Sequence, residues 1–314
     1  MRFVTYSRKN QQRLGLLGPQ DQVIDLAELN RRYLRNGSAS FLESMQAFIE
    51  AGGKALQLAR KAQTYVNRKS PDEQKKLARA GALVNLNQTR WLAPIPRPKK
   101  NVVMLGINYR EHVEEGARAR SLDIKYPEWP VYFTKPATSV IGQKGKVVKH
   151  KVTDKLDWEV ELAVVIGKKG RDIPKDKAYD HIFGYTVCLD MTARELQRIH
   201  GQWFKGKSLD TFCPLGPWLV HKSALPNPQQ VRLVCRVNGE VMQDGNTRDM
   251  IFDIPTIIES LSAGLTLEPG DIISTGTPSG VGFARVPPLF LKPGDRVEAE
   301  VEGIGTLEVE VVEP

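Results

Sequence analysis

The 314-residue chain predicts a strand-rich α+β fold, with a small N-terminal α+β unit ahead of a larger domain built mostly from strands. Three observations lead there. Short runs of alternating apolar residues recur along the chain, sustained helical spacing is confined to a few segments, and no regular strand–helix alternation marks a parallel array. The length accommodates one large and one small domain.

Taken in order, RFVTYS, RLGLLG and QVIDLAEL read as short strands separated by polar turns. From about Ser40 to Asn67 the apolar spacing is helical. WLAPIPRPKKN, with three prolines and no periodicity, then interrupts both patterns. It reads as a linker, so residues 1–96 form the N-terminal unit and 97–314 the main domain. Beyond it NVVMLGIN, VYFTK, WEVELAVVIG, GYTVCLD, VRLVCRV, DIISTG and DRVEAEVEGIGTLEVEVV read as strands, with hairpin turns at Asn238-Gly239 and Gly303. Helices are expected only around Thr192 to His200 and Pro255 to Ala263.

Composition narrows the function classes. With 41% hydrophobic and 26% charged residues the chain is neither a disordered tail nor a membrane bundle. No apolar run approaches the roughly 20 residues needed to span a bilayer. The N-terminus lacks the apolar core and cleavage site of a secretion signal. Three cysteines, Cys188, Cys213 and Cys235, sit in apolar stretches without metal-type spacing, as reduced core thiols of a cytoplasmic protein would. The net charge of +9 is spread along the chain instead of gathered with aromatics, which argues against nucleic acid and suits small carboxylated substrates.

Strand periodicity puts Glu159 and Glu161 on one face, opposite Trp158, Val160 and Leu162. Two neighbouring carboxylates either face water at a sheet edge or share a cation. Asp190 ends the apolar run Tyr185 to Leu189, where a charge is out of place unless it caps a helix or binds something; here it is positioned to do both. Arg194 and Gln197 follow on one helical face. Three carboxylates without a Cys or His partner form a hard oxygen set, suited to Mg²⁺ or Mn²⁺, with Ca²⁺ also admissible.

His112 and Glu115, three residues apart after the strand NVVMLGI, share a face if the segment is helical. They form either a base with an orienting carboxylate or a charged surface turn. The glycine-interrupted run from Glu114 to Tyr126 reads as a mobile lid. Lys205 and Lys207 flank a glycine in a loop suited to holding an enolate charge. DIISTGTPSGVG is a strand running into a glycine-rich turn that can offer N–H groups and the Thr277 hydroxyl to a carboxylate. Each of these last two also makes sense as an ordinary solvated loop.

Together these segments resemble the fumarylacetoacetate hydrolase family, which contains acylpyruvate hydrolases, oxaloacetate decarboxylases and 2-hydroxyhepta-2,4-diene-1,7-dioate isomerases. The resemblance runs from about Asn101 to Val312. It rests on seven ordered motifs: GINYxxH (Gly106 to His112), FTKP (Phe133 to Pro136), WEVELAVVIGK (Trp158 to Lys168), GYTVCLDMTARELQ (Gly184 to Gln197), KGKSLDTFCPLGPW (Lys205 to Trp218), VNGEVMQDGNT (Val237 to Thr247) and STGTPSGVG (Ser274 to Gly282). Met191-Thr192 stands where Val-Ser or Trp-Ser is frequent.

The resemblance implies a mixed β-sandwich roll with a small N-terminal domain, a homodimer, and a small anionic 2-oxo acid as substrate. It places the metal ligands on Glu159, Glu161 and Asp190, the catalytic dyad on His112 and Glu115, and the catalytic lysine on Lys207 rather than Lys205. Arg194, Gln197 and Thr277 match substrate-contacting positions. The expected activity is metal-dependent hydrolysis of a C–C bond in an acylpyruvate- or fumarylpyruvate-like diketo acid. The alternative is an isomerase or decarboxylase of 2-oxo or 2-hydroxy-diene dicarboxylates, of the kind used in aromatic catabolism. A non-catalytic metal-binding protein would keep the carboxylates but lack the dyad and the lysine.

Overall fold

The strands Val160–Ile166 and Ile182–Leu189 are buried at every position, as strands covered on both faces must be. The computed structural model, which describes residues 1–19, 22–37 and 39–314, pairs them antiparallel from Val160↔Leu189 to Ile166↔Ile182. They lie in the middle of a twelve-stranded mixed sheet. Its main path runs 83–85, 22–25, 11–17, 2–8, 213–221, 182–189, 160–166, 272–274, 102–106, 131–135. Two-residue strands at 90–91 and 140–141 pair onto 2–8 and 213–221.

A second sheet, in the order 240–246, 232–237, 296–301, 305–312, 145–148, covers one face of the first. Leu162, Val164, Val187 and Leu189 of the large sheet share a core with Leu233, Val297, Ala299 and Leu307 of the small one. The opposite face, presented by Ala163, Val165, Phe183 and Leu219, packs with Phe3, Phe48, Leu58 and Ala62 of the N-terminal unit. Period-two alternation thus assigns successive residues of one strand to two different cores. Each fully buried aliphatic side chain contributes about 1.5–3 kcal/mol.

The N-terminal strands continue the central sheet, since Arg2 pairs with Val220 and Phe3 with Leu219. The helical stretch expected over 40–67 is divided into Ser40–Leu42, Met45–Glu50 and Gly53–Asn67. Gly52, at φ +56°, makes the break between the last two, a conformation that glycine adopts freely. A further helix, Pro71–Arg79, lies outside the sequence expectation and is started by a reciprocal capping box between Ser70 and Glu73. The proline-rich stretch after Trp91 carries no regular element and is anchored: Ala93 and Ile95 are buried, and the Thr5 hydroxyl donates to the Pro94 carbonyl at 2.6 Å.

Helices Arg194–Ile199 and Ile254–Ser262 and the turns at Asn238-Gly239 and Gly303 occur where the sequence places them. The three cysteines are buried free thiols. Among the described residues no helix is long and apolar enough to cross a membrane.

Candidate active site

Glu159 stands immediately before the strand Val160–Ile166, and Glu161 lies two residues on, on the same face. The register Val160↔Leu189 brings Asp190 alongside, and its N–H donates to the Glu159 carbonyl at 2.9 Å. One carboxylate oxygen from each of the three lies within 4.8 Å of the others. Exposures of 5%, 1% and 0% remove the alternative of a solvated sheet face. Asp190 does not cap the following helix. Thr192–Ala193 first pair with Leu156–Asp157, so the helix begins at Arg194 with Ala193 in the cap position.

Three buried cations face these carboxylates. Lys207 Nζ lies 2.8 Å from Glu159 Oε2 and 2.5 Å from Asp190 Oδ2. Arg194 Nη2 is 2.7 Å from Glu159 Oε1, and Lys135 Nζ is 2.7 Å from Asp190 Oδ1. Burial pushes the Glu159 carboxyl up, but Lys207, Arg194 and His112 outweigh it and hold the group well below the usual range. Glu161 is pushed well above it by burial and by the charges at Asp190, Cys188 and Glu159. Burial alone would lower Lys207, and the Asp190 and Glu159 charges reverse that and raise it.

The oxygen set fits a divalent cation on an observation within the site. Glu161 Oε2 accepts from the Ser274 hydroxyl at 2.5 Å and the Gly276 N–H at 2.9 Å, whereas Glu161 Oε1 is buried with no hydrogen-bond donor among the described residues. Asp190 Oδ1 has Lys135 Nζ at 2.7 Å, but that ammonium also faces three carbonyls, so four acceptors share three protons. Buried carboxylate oxygens left this way are costly unless something else binds them, and hard oxygen ligands match Mg²⁺, Mn²⁺ or Ca²⁺.

The segment after strand Val102–Gly106 forms the helix Arg110–Ala119, and the burial of His112 on it argues against the alternative of a surface helix turn. Asn108 fixes its entry: the side-chain amide donates to the Thr275 and Phe252 carbonyls and accepts from the Phe252 N–H. On this helix His112 Nδ1 lies 2.8 Å from Glu115 Oε1, and Glu115 Oε2 accepts from the Gly280 N–H at 2.8 Å. A carboxylate oxygen facing Nδ1 accepts from it, which assigns the N–H to Nδ1 and, in the neutral imidazole, leaves the Nε2 lone pair free. Gly280 has φ +101°, and a Cβ there would fall 2.1 Å from the Met242 carbonyl oxygen. Only glycine allows that N–H to reach Glu115.

A cavity of about 660 Å³ opens beside these groups, lined by His112, Glu159, Lys207, Arg194, Gln197 and Thr277. All six had been singled out in the sequence. Glu115, Glu161 and Asp190 stand behind the lining. Arg194 Nη1 donates to Gln197 Oε1 at 3.2 Å, so the expected shared face is real. Lys207 sits on the short helix Phe204–Lys207 and is buried, while Lys205 is exposed. The Thr277 hydroxyl donates to the Val160 carbonyl at 2.9 Å and accepts from Gln243 at 2.8 Å, so toward the cavity it offers a lone pair and not its proton. Half of the expected lid, Glu114 to Ala119, is helix, and Arg120, Leu122, Asp123 and Lys125 beyond it line the cavity.

Several supporting residues were not read from the sequence. Asp157 is fully buried, accepts from Arg194 Nε at 2.8 Å, and takes the N–H groups of Trp158, Gly282 and Phe283. Phe283 carries Arg194 and Arg120 at 4.5 and 4.8 Å from its ring centroid. Gln243 ties Thr277 and Pro278 to the Val160 N–H. Asp157 and Gln243 show in the sequence only as polar residues at the margin of an apolar run, and Phe283 carries no such signal.

Comparison with known proteins identifies the family. Residues 101–312 match the family described as fumarylacetoacetate (FAA) hydrolase C-terminal. The chain is 44% identical over 311 residues, covering 98% of each protein, to oxaloacetate tautomerase YisK of Bacillus subtilis. It is 42% identical over 272 residues to the human mitochondrial oxaloacetate tautomerase FAHD2A, covering 86% of this chain and 80% of the relative. The solved fumarylacetoacetate hydrolase of Exiguobacterium antarcticum superimposes with a TM-score of 0.76 at 33% identity, over the whole of both chains. The ordered motifs, the strand-rich fold and the match across residues 101–312 lead to one conclusion: the chain belongs to the fumarylacetoacetate hydrolase C-terminal family of enzymes.

Proposed function

We propose that the protein is a divalent-metal-dependent isomerase that interconverts the keto and enol forms of small dicarboxylic 2-oxo acids, with oxaloacetate as the representative substrate. The observation that carries this reading is the opening of the His112–Glu115 dyad and the Glu159–Lys207 pair onto one cavity. The expectation of C–C bond hydrolysis gives way to the isomerase alternative because the relative matched over nearly the full length is an oxaloacetate tautomerase.

Glu159, Glu161 and Asp190 would hold the cation, which when bound supplies Lewis-acid polarisation of the 2-oxo carbonyl. The rest of the chemistry falls to the chain's own groups. His112 Nε2 takes the proton from the carbon between the carbonyl and the distal carboxylate, and Glu115 stabilises the imidazolium that results. The C–H electron pair becomes the C=C bond, and the carbonyl π pair moves to oxygen. Lys207 passes a proton to that oxygen, giving the enol; the imidazolium then releases its proton to solvent and Lys207 regains one from it, and the reverse sequence restores the ketone. Arg194 and Gln197 orient the acid beside the dyad.

The charge of the cavity supports a dianionic substrate. Arg120, Arg198 and Lys125 line it without an ion-pair partner among the described residues, with Asp123 as the nearby lining acid. Arg120 is crowded by its surroundings and by Arg194 and Arg198, which lower its pKa. A second carboxylate relieves that crowding.

The test follows the ultraviolet absorbance of enolic oxaloacetate and of acetylpyruvate with Mg²⁺ or Mn²⁺ present. Accelerated decay of the enol to ketone without pyruvate formation supports the proposal. Turnover of acetylpyruvate alone returns the assignment to hydrolysis, and pyruvate from oxaloacetate makes the protein a decarboxylase.

A further inference from the structure

Lys135 is the most deeply buried cation of the site: its side chain has no exposure, and no role in the chemistry above uses it. It ends the strand Val131–Lys135, within FTKP. A lysine seldom loses all contact with water unless charge and hydrogen bonds are both matched. Here they are matched by different groups. The ammonium donates to the carbonyls of Met191 at 2.9 Å, Lys207 at 2.5 Å and Phe212 at 2.8 Å. Its charge is met by Asp190 Oδ1 at 2.7 Å, the one carboxylate within ion-pair distance among the described residues.

This division has two consequences. Asp190 gains a neighbouring positive charge whose three protons are shared among four acceptors, so Oδ1 is not saturated and keeps a lone pair for a cation. The same ammonium also joins the backbone after Asp190 to the backbone of Lys207, which fixes the spacing between a carboxylate of the triad and the lysine that lines the cavity. We propose that Lys135 is a positioning residue of the metal site, setting its charge against Asp190 Oδ1 and locking the backbone beside Asp190 to the Lys207 helix. The inference rests on the reading of Glu159, Glu161 and Asp190 as cation ligands.

Mn²⁺ binding by calorimetry to the wild type, Lys135→Gln and Lys135→Arg tests it, beside thermal melting without metal. Gln keeps hydrogen-bond donors but no charge; Arg keeps the charge. The expected result is Mn²⁺ affinity about 10–100-fold weaker in Lys135→Gln, with Lys135→Arg closer to the wild type. Wild-type affinity in a folded Lys135→Gln overturns the inference while leaving the ligand triad intact, whereas a wild type that binds no Mn²⁺ overturns the triad and this inference with it. Should Lys135→Gln not fold, Asp190→Asn is made in a Lys207→Met background, where Lys135 is the lysine left facing position 190. A melting temperature lowered by several degrees supports the pairing, and an unchanged or raised one overturns it.

Discussion

The Ser274 hydroxyl donates to Glu161 Oε2 across 2.5 Å, and with the Gly276 N–H it holds one oxygen of that carboxylate while the other has no donor among the described residues. Ser274 closes the strand Ile272–Ser274, so the sheet itself orients the carboxylate. Ser274→Ala should weaken Mn²⁺ affinity about tenfold, as is usual when a partner that orients a ligand is lost. Calorimetric titration checks this, and an unchanged affinity would mean that Glu161 needs no such anchor.

Glu115 links His112 to the glycine-rich turn, taking His112 Nδ1 on one oxygen and the Gly280 N–H on the other. Glu115→Gln removes the charge that stabilises an imidazolium while keeping the size of the side chain. The expected outcome is a kcat about a hundredfold lower with Mn²⁺ affinity unchanged. Steady-state kinetics and titration on the same sample separate the two effects.

Asp157 receives four donors in a fully buried position, three from backbone and one from Arg194. Asp157→Asn leaves the Arg194 guanidinium facing an amide N–H or strips the loop of its acceptor, whichever way the amide turns. A loss of about 3–5 kcal/mol is expected, typical of breaking one side of a buried ion pair. Calorimetric melting should show a drop of several degrees, with KM raised because Arg194 is released.

His221 lies at the end of the strand Cys213–His221, where its Nδ1 accepts from the Ser223 N–H. Burial, then the nearby N-terminal amine, Lys222 and Arg60, lower its pKa from 6.5 to about 4. Between these values the unfolded chain binds more protons than the folded one, so the stabilisation is complete above 6.5 and is lost as pH falls toward 4. Stability measured by urea titration from pH 4 to 8 should fall on the acid side. In His221→Gln that part of the profile should flatten.

Period two placed Glu159 and Glu161 together, and a charge ending an apolar strand marked Asp190. The i, i+3 spacing found His112 with Glu115. What escaped was set by distant chain: Lys135 and Met191 are 56 residues apart, Asp157 and Arg194 are 37 apart, and Glu161 and Ser274 are 113 apart. No local pattern carries such pairings. The N-cap expectation for Asp190 failed for a related reason, since Thr192 and Ala193 are taken by a strand pairing that precedes the helix. The union of the N-terminal strands with the central sheet, through Arg2↔Val220, was equally invisible to local periodicity.

Proton exchange at the carbon beside the carbonyl tests the central claim most directly. In deuterated buffer with Mg²⁺, proton magnetic resonance of oxaloacetate should show enzyme-accelerated keto–enol interconversion with loss of the methylene signal to deuterium, no pyruvate, and no acceleration in His112→Ala. Acceleration undiminished in His112→Ala, or pyruvate appearing as fast as the methylene signal is lost, would contradict it.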